Sequence, residues 1–497
     1  MTTAPSATPP LSPAVPPAAP TLAVAHEEPP PNYKWKVLLV VGAGVYMVTL
    51  DAGIVNVALP ALTREFGTSL LVAQWVILAY VLCITGLLLP AGRLADMVGR
   101  REVFLAGFVV FAGASALCGL APAIGWLIAA RVVQGVGGAL MQANTAALLT
   151  QAFPASERGR ALGLNGSIVS VGLLSGPVIG GFITQHFGWR WAFYVNVPIS
   201  AFAAPVGWRL LRPSPVLKHQ RFDPLGATLF LAAAVALLLG LNQGDTWGWT
   251  SPAVVGLLLA SIALAAAFIQ VERRVAQPTV DLTLFRNRGF SAAALSAFLS
   301  FLAISPVTLL MPFYYQLVLG LRADQTGLLL VAIPATVAIL APLSGALSDR
   351  FGSRIIASAG MAVEALGLAT LIFLPLTGSP LWAAARLAIV GVGLAFFQSP
   401  NSSALFSSVP RSQLGTVGGF QALTRNLGQS LGQVIAGAAW SLVVLAAAHG
   451  AAPTAVEAPP PAMMAGFRLV FTLSAVLGGV AILTSLVGRP RDLRPAD

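Results

Sequence analysis

Asp51 is the residue that most needs a chemical reason. It stands in Tyr46-Met-Val-Thr-Leu-Asp51-Ala-Gly-Ile-Val-Asn56-Val-Ala-Leu-Pro60, near the middle of an apolar run. A carboxylate at the centre of a bilayer costs about 2.5–3.5 kcal/mol on insertion scales. A group that can lose and regain a proton inside the membrane is what proton coupling requires. The bland alternative is a static ion pair that fixes helix packing. Arg131 falls in another apolar run at a comparable depth and is the expected partner. Proton and substrate would then compete around one small charge network. Glu364 is the other acid deep in an apolar run and a second protonation candidate. Arg386 and Arg425 also lie within runs, with no partner assignable from sequence.

Three further patterns bear on movement. Gly172, Gly176 and Gly180 share one helix face and allow close helix approach, while Gly181 follows directly. Pro177 removes a backbone donor and is expected to bend the helix. Gly92-Arg-Leu-Ala-Asp96-Met-Val-Gly99-Arg100-Arg101 has a copy around Gly345, Asp349 and Arg354. Glycine there permits a tight turn. The acid beside arginine can bridge helix ends, or act as a gate that holds two bundles together. Tyr46, Asn56, Gln74, Tyr80, Tyr314 and Gln398 are candidates for lining a substrate cavity, although most aromatics in spans serve as packing or interface anchors.

These residues need a scaffold, and composition supplies its class. The chain of 497 residues is 57% hydrophobic and 9% charged, against about 25% charged in an ordinary soluble chain. Continuous runs of about 20 apolar residues read as membrane-spanning helices, because a helix satisfies its own backbone in hydrocarbon. The alternating pattern of a membrane barrel is absent. Fourteen runs are predicted, at 36–60, 71–91, 102–121, 124–148, 161–184, 191–211, 224–243, 252–271, 289–315, 325–347, 354–376, 380–405, 414–447 and 466–488.

The net charge of +11 resembles a nucleic-acid signal. Its lysines and arginines, however, fall in clusters in alternate loops, separated by the spans, and form no single patch. That is the positive-inside bias, which puts the basic loops and both termini in the cytoplasm and the chain in the inner (plasma) membrane. Residues 1–33 are rich in Pro and Ala and read as a disordered tail. Cys83 and Cys118 lie inside runs and suggest neither a disulfide nor a metal site. The histidines His26, His186, His219 and His449 are scattered through tail and loops, so no catalytic cluster is visible and an enzyme is not expected. No phosphate-binding loop is present, which argues against ATP as the driving force; no cofactor is expected beyond a proton gradient.

The chain repeats itself. A shift of 253 residues carries Gly92, Leu94, Asp96, Gly99 and Arg101 onto Gly345, Leu347, Asp349, Gly352 and Arg354. A shift of 256 carries Gly176, Val178, Ile179 and Gly181 onto Gly432, Val434, Ile435 and Gly437. Spans one to six therefore match spans nine to fourteen. The expected organisation is a six-helix bundle over 34–212, a linker with two inserted helices over 213–287, a second six-helix bundle over 288–490 and a short tail over 491–497. Paired bundles of this kind are a transporter architecture, with a substrate site between the repeats near mid-membrane.

At the level of motifs the chain resembles the fourteen-helix drug/proton antiporters of the major facilitator superfamily. The resemblance covers nearly everything after the tail. It rests on Leu50-Asp51 to Pro60, on the Gly92–Arg101 loop, on Arg131-Val-Val-Gln134-Gly135, and on Gly172 to Gly181. Trp189-Arg190-Trp191, Asn196, Pro198, Asp223-Pro-Leu-Gly226 and Asp281-Leu-Thr-Leu-Phe285-Arg286 also fit. It implies an all-α major facilitator fold and proton-driven export of small hydrophobic or amphiphilic compounds by a monomer. It also implies that Arg131 takes part in proton transfer and that Gly172–Gly181 marks an exporter. Two positions depart from the pattern: Gly53 replaces a hydroxyl residue, and Met97 a basic one. The tenth span has no acid beyond Asp324 at its edge, which turns the expectation from dications towards neutral, monovalent or anionic amphiphiles. A lipid or metabolite exporter on the same scaffold, a cation-coupled importer and a membrane sensor are the alternative functions.

Overall fold

The computed structural model describes residues 32–154, 157–213, 224–275, 282–408, 414–450 and 452–487. The predicted tails therefore lie almost wholly outside the described residues. The first group of helices comprises α1 (Tyr33–Phe66), α2 (Leu70–Ala73), α3 (Trp75–Val98), α4 (Arg100–Gly119), α5 (Ile124–Ala152), α6 (Arg158–His186), α7 (Trp191–Tyr194) and α8 (Asn196–Leu210). A hairpin of α9 (Pro224–Trp247) and α10 (Pro252–Glu272) follows. The second group comprises α11 (Arg288–Phe313), α12 (Ala323–Leu330), α13 (Ala332–Phe351), α14 (Ser353–Leu371), α15 (Pro380–Ser407), α16 (Leu414–Ala447) and α17 (Pro460–Val487).

Among the described residues, twelve helices are long and apolar enough to cross a membrane. The chain is a multi-pass membrane protein. Two of the fourteen predicted runs fall outside that set. The run over 191–211 is split into α7 and the 15-residue α8. In the run over 224–243, only Thr228–Gly244 counts as an apolar helix, and it is short. Helix breaks also interrupt the second run at Gln74 and the tenth at Val331, and the ninth ends in a π-helical turn, Tyr314–Val318.

The repeat in sequence is matched by a repeat in packing. α1 packs on α6, α4 on α5, α3 on α5, and α4 on α8. In the second group α11 packs on α16, α14 on α15, α13 on α15, and α14 on α17. The groups meet crosswise, α6 against α12 and α13, and α16 against α2 and α3. α9 lies over this second seam, touching both α3 and α16, and α10 packs on α9.

The two copies of the loop motif explain one another. α3 ends at Gly99 with φ +125°, and α13 ends at Gly352 with φ +88°. A side chain would strain either position. The turn therefore belongs to Gly99; Gly92, predicted for that task, lies inside α3 with only Ala143 Cβ near it, at 4.0 Å from an added Cβ. Arg100 pairs with Asp96 at 2.8 Å within the motif. Arg101 donates to Trp208 O and stacks on its ring, while Arg354 donates to Leu486 O. Both arginines thus fasten the motif to the last helix of their own group. The expected bridge between bundles is not what these side chains make, and the Asp349 side chain lies outside the described residues.

α6 carries two contact faces. On one, a Cβ at Gly176 would lie 2.8 Å from Gly53 Cα, and a Cβ at Gly180 would lie 2.8 Å from Ile54 Cα. Gly172 faces Thr49 on the same side. On the other face, Gly181 abuts Ala323 O and Pro177 O abuts Gly327, both on α12. Gly53, where a hydroxyl residue is usual, is therefore the position at which α1 and α6 backbones touch. Gly176→Ala is expected to destabilise the protein by about 1–3 kcal/mol through overpacking. The drop would be read as a lower Tm in detergent, with Gly113→Ala, which has nothing within 4 Å of its added Cβ, leaving Tm unchanged.

Candidate functional site

Asp51 and Arg131 are fully buried and joined by an ion pair, Nη1 to Oδ2, at 2.5 Å. The remaining carboxylate oxygen is also satisfied. Gln134 Nε2 and Asn196 Nδ2 each donate to Asp51 Oδ1 at 2.9 Å. Arg131 Nε donates to Val76 O at 2.7 Å, and Nη1 to Gln134 Oε1 at 2.7 Å. Gln134 closes the network by donating to Ser115 Oγ at 2.8 Å. The Tyr80 ring lies under the guanidinium, 4.0 Å from its carbon, a cation–π contact.

Local sequence explains the convergence. Arg131 and Gln134 are three residues apart on α5 and so share a helix face. The break between α7 and α8 falls at Val195, which puts Asn196 at the first position of α8, pointing into the bundle. Close packing of α5 on α3 at Gly135, where an added Cβ would sit 2.7 Å from Cys83 Cβ, brings the Arg131 side chain to the Val76 carbonyl. Five helices thereby surround one carboxylate. Burying two charges is stabilising only when geometry and hydrogen bonds compensate lost hydration. Here all but one of the polar ends at the pair is used. Arg131 Nη2 is the guanidinium nitrogen without a partner.

The second group is built differently. Glu364 on α14 is fully buried, and its partner is Ser300 Oγ on α11, at 3.0 Å from both carboxylate oxygens. Arg386, onto which a shift of 255 residues carries Arg131, is not a bundle-core residue: it donates to Phe373 O at 2.8 Å, beyond the end of α14. Asp324 pairs with the exposed Arg322 at 2.6 Å.

The cavity candidates divide. Tyr46 and Gln398 are half-buried, and Tyr46 Oη accepts from Ser175 Oγ at 3.0 Å across α1 and α6. Asn56 is half-buried too, donating to Ala52 O at 2.8 Å and leaving Oδ1 without a partner. Three candidates are corrected. Tyr80 is covered beneath Arg131. Tyr314 is 1% exposed, donates to Pro375 O at 2.8 Å and packs edge-on against Phe467. Gln74 is fully buried, lies against Gly437 and donates to Asn242 of α9. Each is held by protein on every side that matters for packing. Sequence reasoning assigned no polar role in this network to Gln134, Asn196 and Ser115. Gln134 and Asn196 stood inside recognised motifs, whereas Ser115 carried no signal, since a serine in a span is usually a packing residue.

Residues 41–433 match the Major Facilitator Superfamily. The chain belongs to that superfamily. It is 35% identical over 403 residues to the riboflavin transporter RibZ of Clostridioides difficile (strain 630), covering 80% of this chain and 86% of RibZ. It is 36% identical over 407 residues to the multidrug resistance protein Stp of Mycobacterium tuberculosis (strain ATCC 25618 / H37Rv), covering 81% and 76%. A tetracenomycin C resistance and export protein of Streptomyces glaucescens is 32% identical over 404 residues, covering 81% and 75%. In fold, it resembles the bacterial homologue of the human lysosomal transporter Spinster, captured inward-facing and unoccupied. The TM-score is 0.68 at 16% identity, covering 94% of this chain and all of that one. The molecule is a transporter of the major facilitator superfamily, not an enzyme, and its likeness to the superfamily's drug exporters stands on relatives so named.

Breaking a buried pair leaves an uncompensated charge and costs about 3–5 kcal/mol. Arg131→Met is therefore expected to destabilise strongly, and adding Asp51→Asn to recover part of the loss. The measurement is a double-mutant cycle by thermal or SDS unfolding; additive losses would show that the two side chains act independently.

Proposed function

We propose that this transporter exports small hydrophobic or amphiphilic compounds, drugs or antibiotics among them, by antiport with protons and alternating access. The observation that carries the reading is the Asp51–Arg131 pair, an ionisable couple closed off inside one helix group. An intramembrane acid of this kind is a functional site by default. When a proton binds Asp51 Oδ2, it replaces the Arg131 Nη1–H as donor there. Arg131 keeps Val76 O, Gln134 Oε1 and the Tyr80 ring, and Asp51 keeps Asn196 and Gln134 on Oδ1. The network can thus change charge without coming apart. Two residues along α1, Gly53 rests on Gly176 of α6, and α6 in turn meets α12 through Pro177 and Gly181. A shift of α1 on protonation has a direct route to the seam between the groups. Gly172, Gly176 and Gly180 are the sliding face of that route, and Asp96, Gly99, Arg100 and Arg101 fix the α3–α4 turn on the basic side. Glu364 is the second candidate for a proton, and Tyr46, Asn56 and Gln398 for substrate contact.

The architecture proposed with this function is fourteen spans: two six-helix bundles and the α9–α10 hairpin between them. Basic loops and both termini face the cytoplasm, the membrane is the plasma (inner) membrane, and the working unit is a monomer driven by the proton gradient alone. Contacts between the groups gather at the face opposite the basic loops. Gln185 Oε1 accepts from Ala323 N at 3.3 Å, and Gln316 Nε2 donates to Val57 O at 3.2 Å. That pattern supports a cavity closed on the outside and open to the cytoplasm. A second reading, export of a metabolite, draws support from the 35% identity to a riboflavin transporter.

The test is transport in everted vesicles with a cationic dye, a neutral antibiotic and riboflavin. Wild type is expected to move dye or antibiotic, and both an uncoupler and Asp51→Asn to abolish it. Movement that survives Asp51→Asn but not Glu364→Gln would transfer coupling to Glu364. Movement of riboflavin alone would favour the metabolite reading. For the span count, Thr250→Cys in a background lacking Cys83 and Cys118 is expected to react with a membrane-impermeant maleimide from the outside of intact cells; labelling solely from the cytoplasmic side would refute the fourteen-span topology.

A further inference from the structure

α16 carries a cation without a partner in its middle third. The residues on either side of Arg425 are anchored. Thr424 Oγ1 donates to Phe420 O at 2.9 Å. Asn426 Nδ2 donates to Thr85 Oγ1 of α3 at 2.8 Å, across the seam between the two helix groups. One turn earlier Gln421 donates to Ser402 Oγ at 2.5 Å, and two turns later Gln433 reaches Thr308 Oγ1 at 3.5 Å. Arg425 itself is half-buried and has no hydrogen bond, ion pair or ring contact among the described residues.

An arginine within a span is expensive unless it has a partner or faces a water-filled cavity. The other intramembrane arginines satisfy that rule: Arg131 through Asp51, and Arg386 through the Phe373 carbonyl. Among the described residues no acid does the same for Arg425. The Asp51 carboxylate is taken by Arg131, and Glu364 has Ser300 as its partner. Arg425 is the chain neighbour of Asn426, whose amide crosses the seam, and the region between the repeats near mid-membrane is where repeat-built transporters bind substrate. A guanidinium presents a planar fork of donors that matches a carboxylate in two parallel hydrogen bonds. Gln421, Asn426 and Gln433 add amide groups on the same helix.

We propose that Arg425 anchors the carboxylate of an anionic amphiphile, and so sets the charge preference of the substrate site. The proposal rests on the export reading above for its direction of transport, but not for the binding site itself. It disfavours multiply charged cations, which a lone positive charge there repels.

A matched pair of probes tests it: a fluorescent coumarin carboxylic acid and its neutral ethyl ester. Binding to the purified protein in detergent is measured by fluorescence anisotropy, and export by reconstituted proteoliposomes under an imposed pH gradient. Arg425→Gln is expected to weaken carboxylate binding by about 10- to 100-fold, the range of a charge-assisted hydrogen bond. Ester binding should stay within about twofold, and Arg425→Lys should fall between wild type and Gln for the carboxylate because it keeps charge but loses the fork. With the pH gradient collapsed by an uncoupler, wild type should bind the carboxylate as before and fail to accumulate it. An equal loss for acid and ester in Arg425→Gln overturns the proposal, as does failure of wild type to bind the acid. If Arg425-dependent binding persists while no probe is exported by wild type, the anion site stands and the export reading falls.

Discussion

Everything in the first helix group is arranged around the need to keep one carboxylate and one guanidinium hydrogen-bonded where water cannot reach. The pair recruits α1 through Asp51, α5 through Arg131 and Gln134, α4 through Ser115, α8 through Asn196 and α3 through the Val76 carbonyl. In a low-dielectric interior such a network is stiff when complete and costly when one member is lost. While the pair is intact the group is held together, because pulling the two side chains apart would expose an unpaired charge. Under the proposed function, the stiffness for rocking and the acid for proton coupling come from the same residues.

The second group repeats the packing but not the chemistry. Its arginine at the position equivalent to Arg131 turns to a backbone carbonyl, and its buried acid sits on α14 with a serine. A symmetric scaffold thus carries an asymmetric charge distribution: a neutralised pair in one group, a lone acid and a lone cation in the other. Under the proposed function, asymmetry of this kind lets the two groups take different work, one handling the proton and the other the substrate. The insertion adds to it. α9 covers the α3–α16 seam through Asn242, which donates to Leu71 O at 2.8 Å, whereas the α6–α13 seam has no such cover among the described residues.

Much of this was legible in the sequence because its causes are local or compositional. Spans follow from apolar length, the repeat from matching residues, and the Asp51–Arg131 pairing from the cost of leaving either charge alone in hydrocarbon. What was not legible depends on helix rotation. A tyrosine or glutamine in a span can face a cavity, a lipid or a neighbour, and hydropathy is blind to the difference. Residue type alone puts Tyr80, Tyr314 and Gln74 in the cavity; the structure puts them in packed interfaces. Gly92 was credited with a turn that Gly99 makes, since both are glycines in one motif and only backbone φ separates them. Arg101 and Arg354 looked like gate residues by charge, and their targets, two backbone carbonyls on the last helix of each group, cannot be read from a sequence at all.

α6 shows how the Asp51–Arg131 pair and the seam are joined. Glycines at spacing four form one face and seat the helix on α1, within three residues of Asp51. Pro177 and Gly181 lie a fraction of a turn away and seat the same helix on α12 of the other group. Because both faces make backbone-level contact, neither can absorb a displacement by rotating a side chain. A movement of α1 must then be passed on to α12 or resisted by both. Pro177 lacks an N–H, so the ladder of α6 has one hydrogen bond fewer at the level where the two faces overlap. The counterpart in α16 is Gln433, which keeps its N–H. The helix next to the ionisable pair is the one built with a weaker rung, which is where compliance is useful if a charge change is to become a movement of the seam.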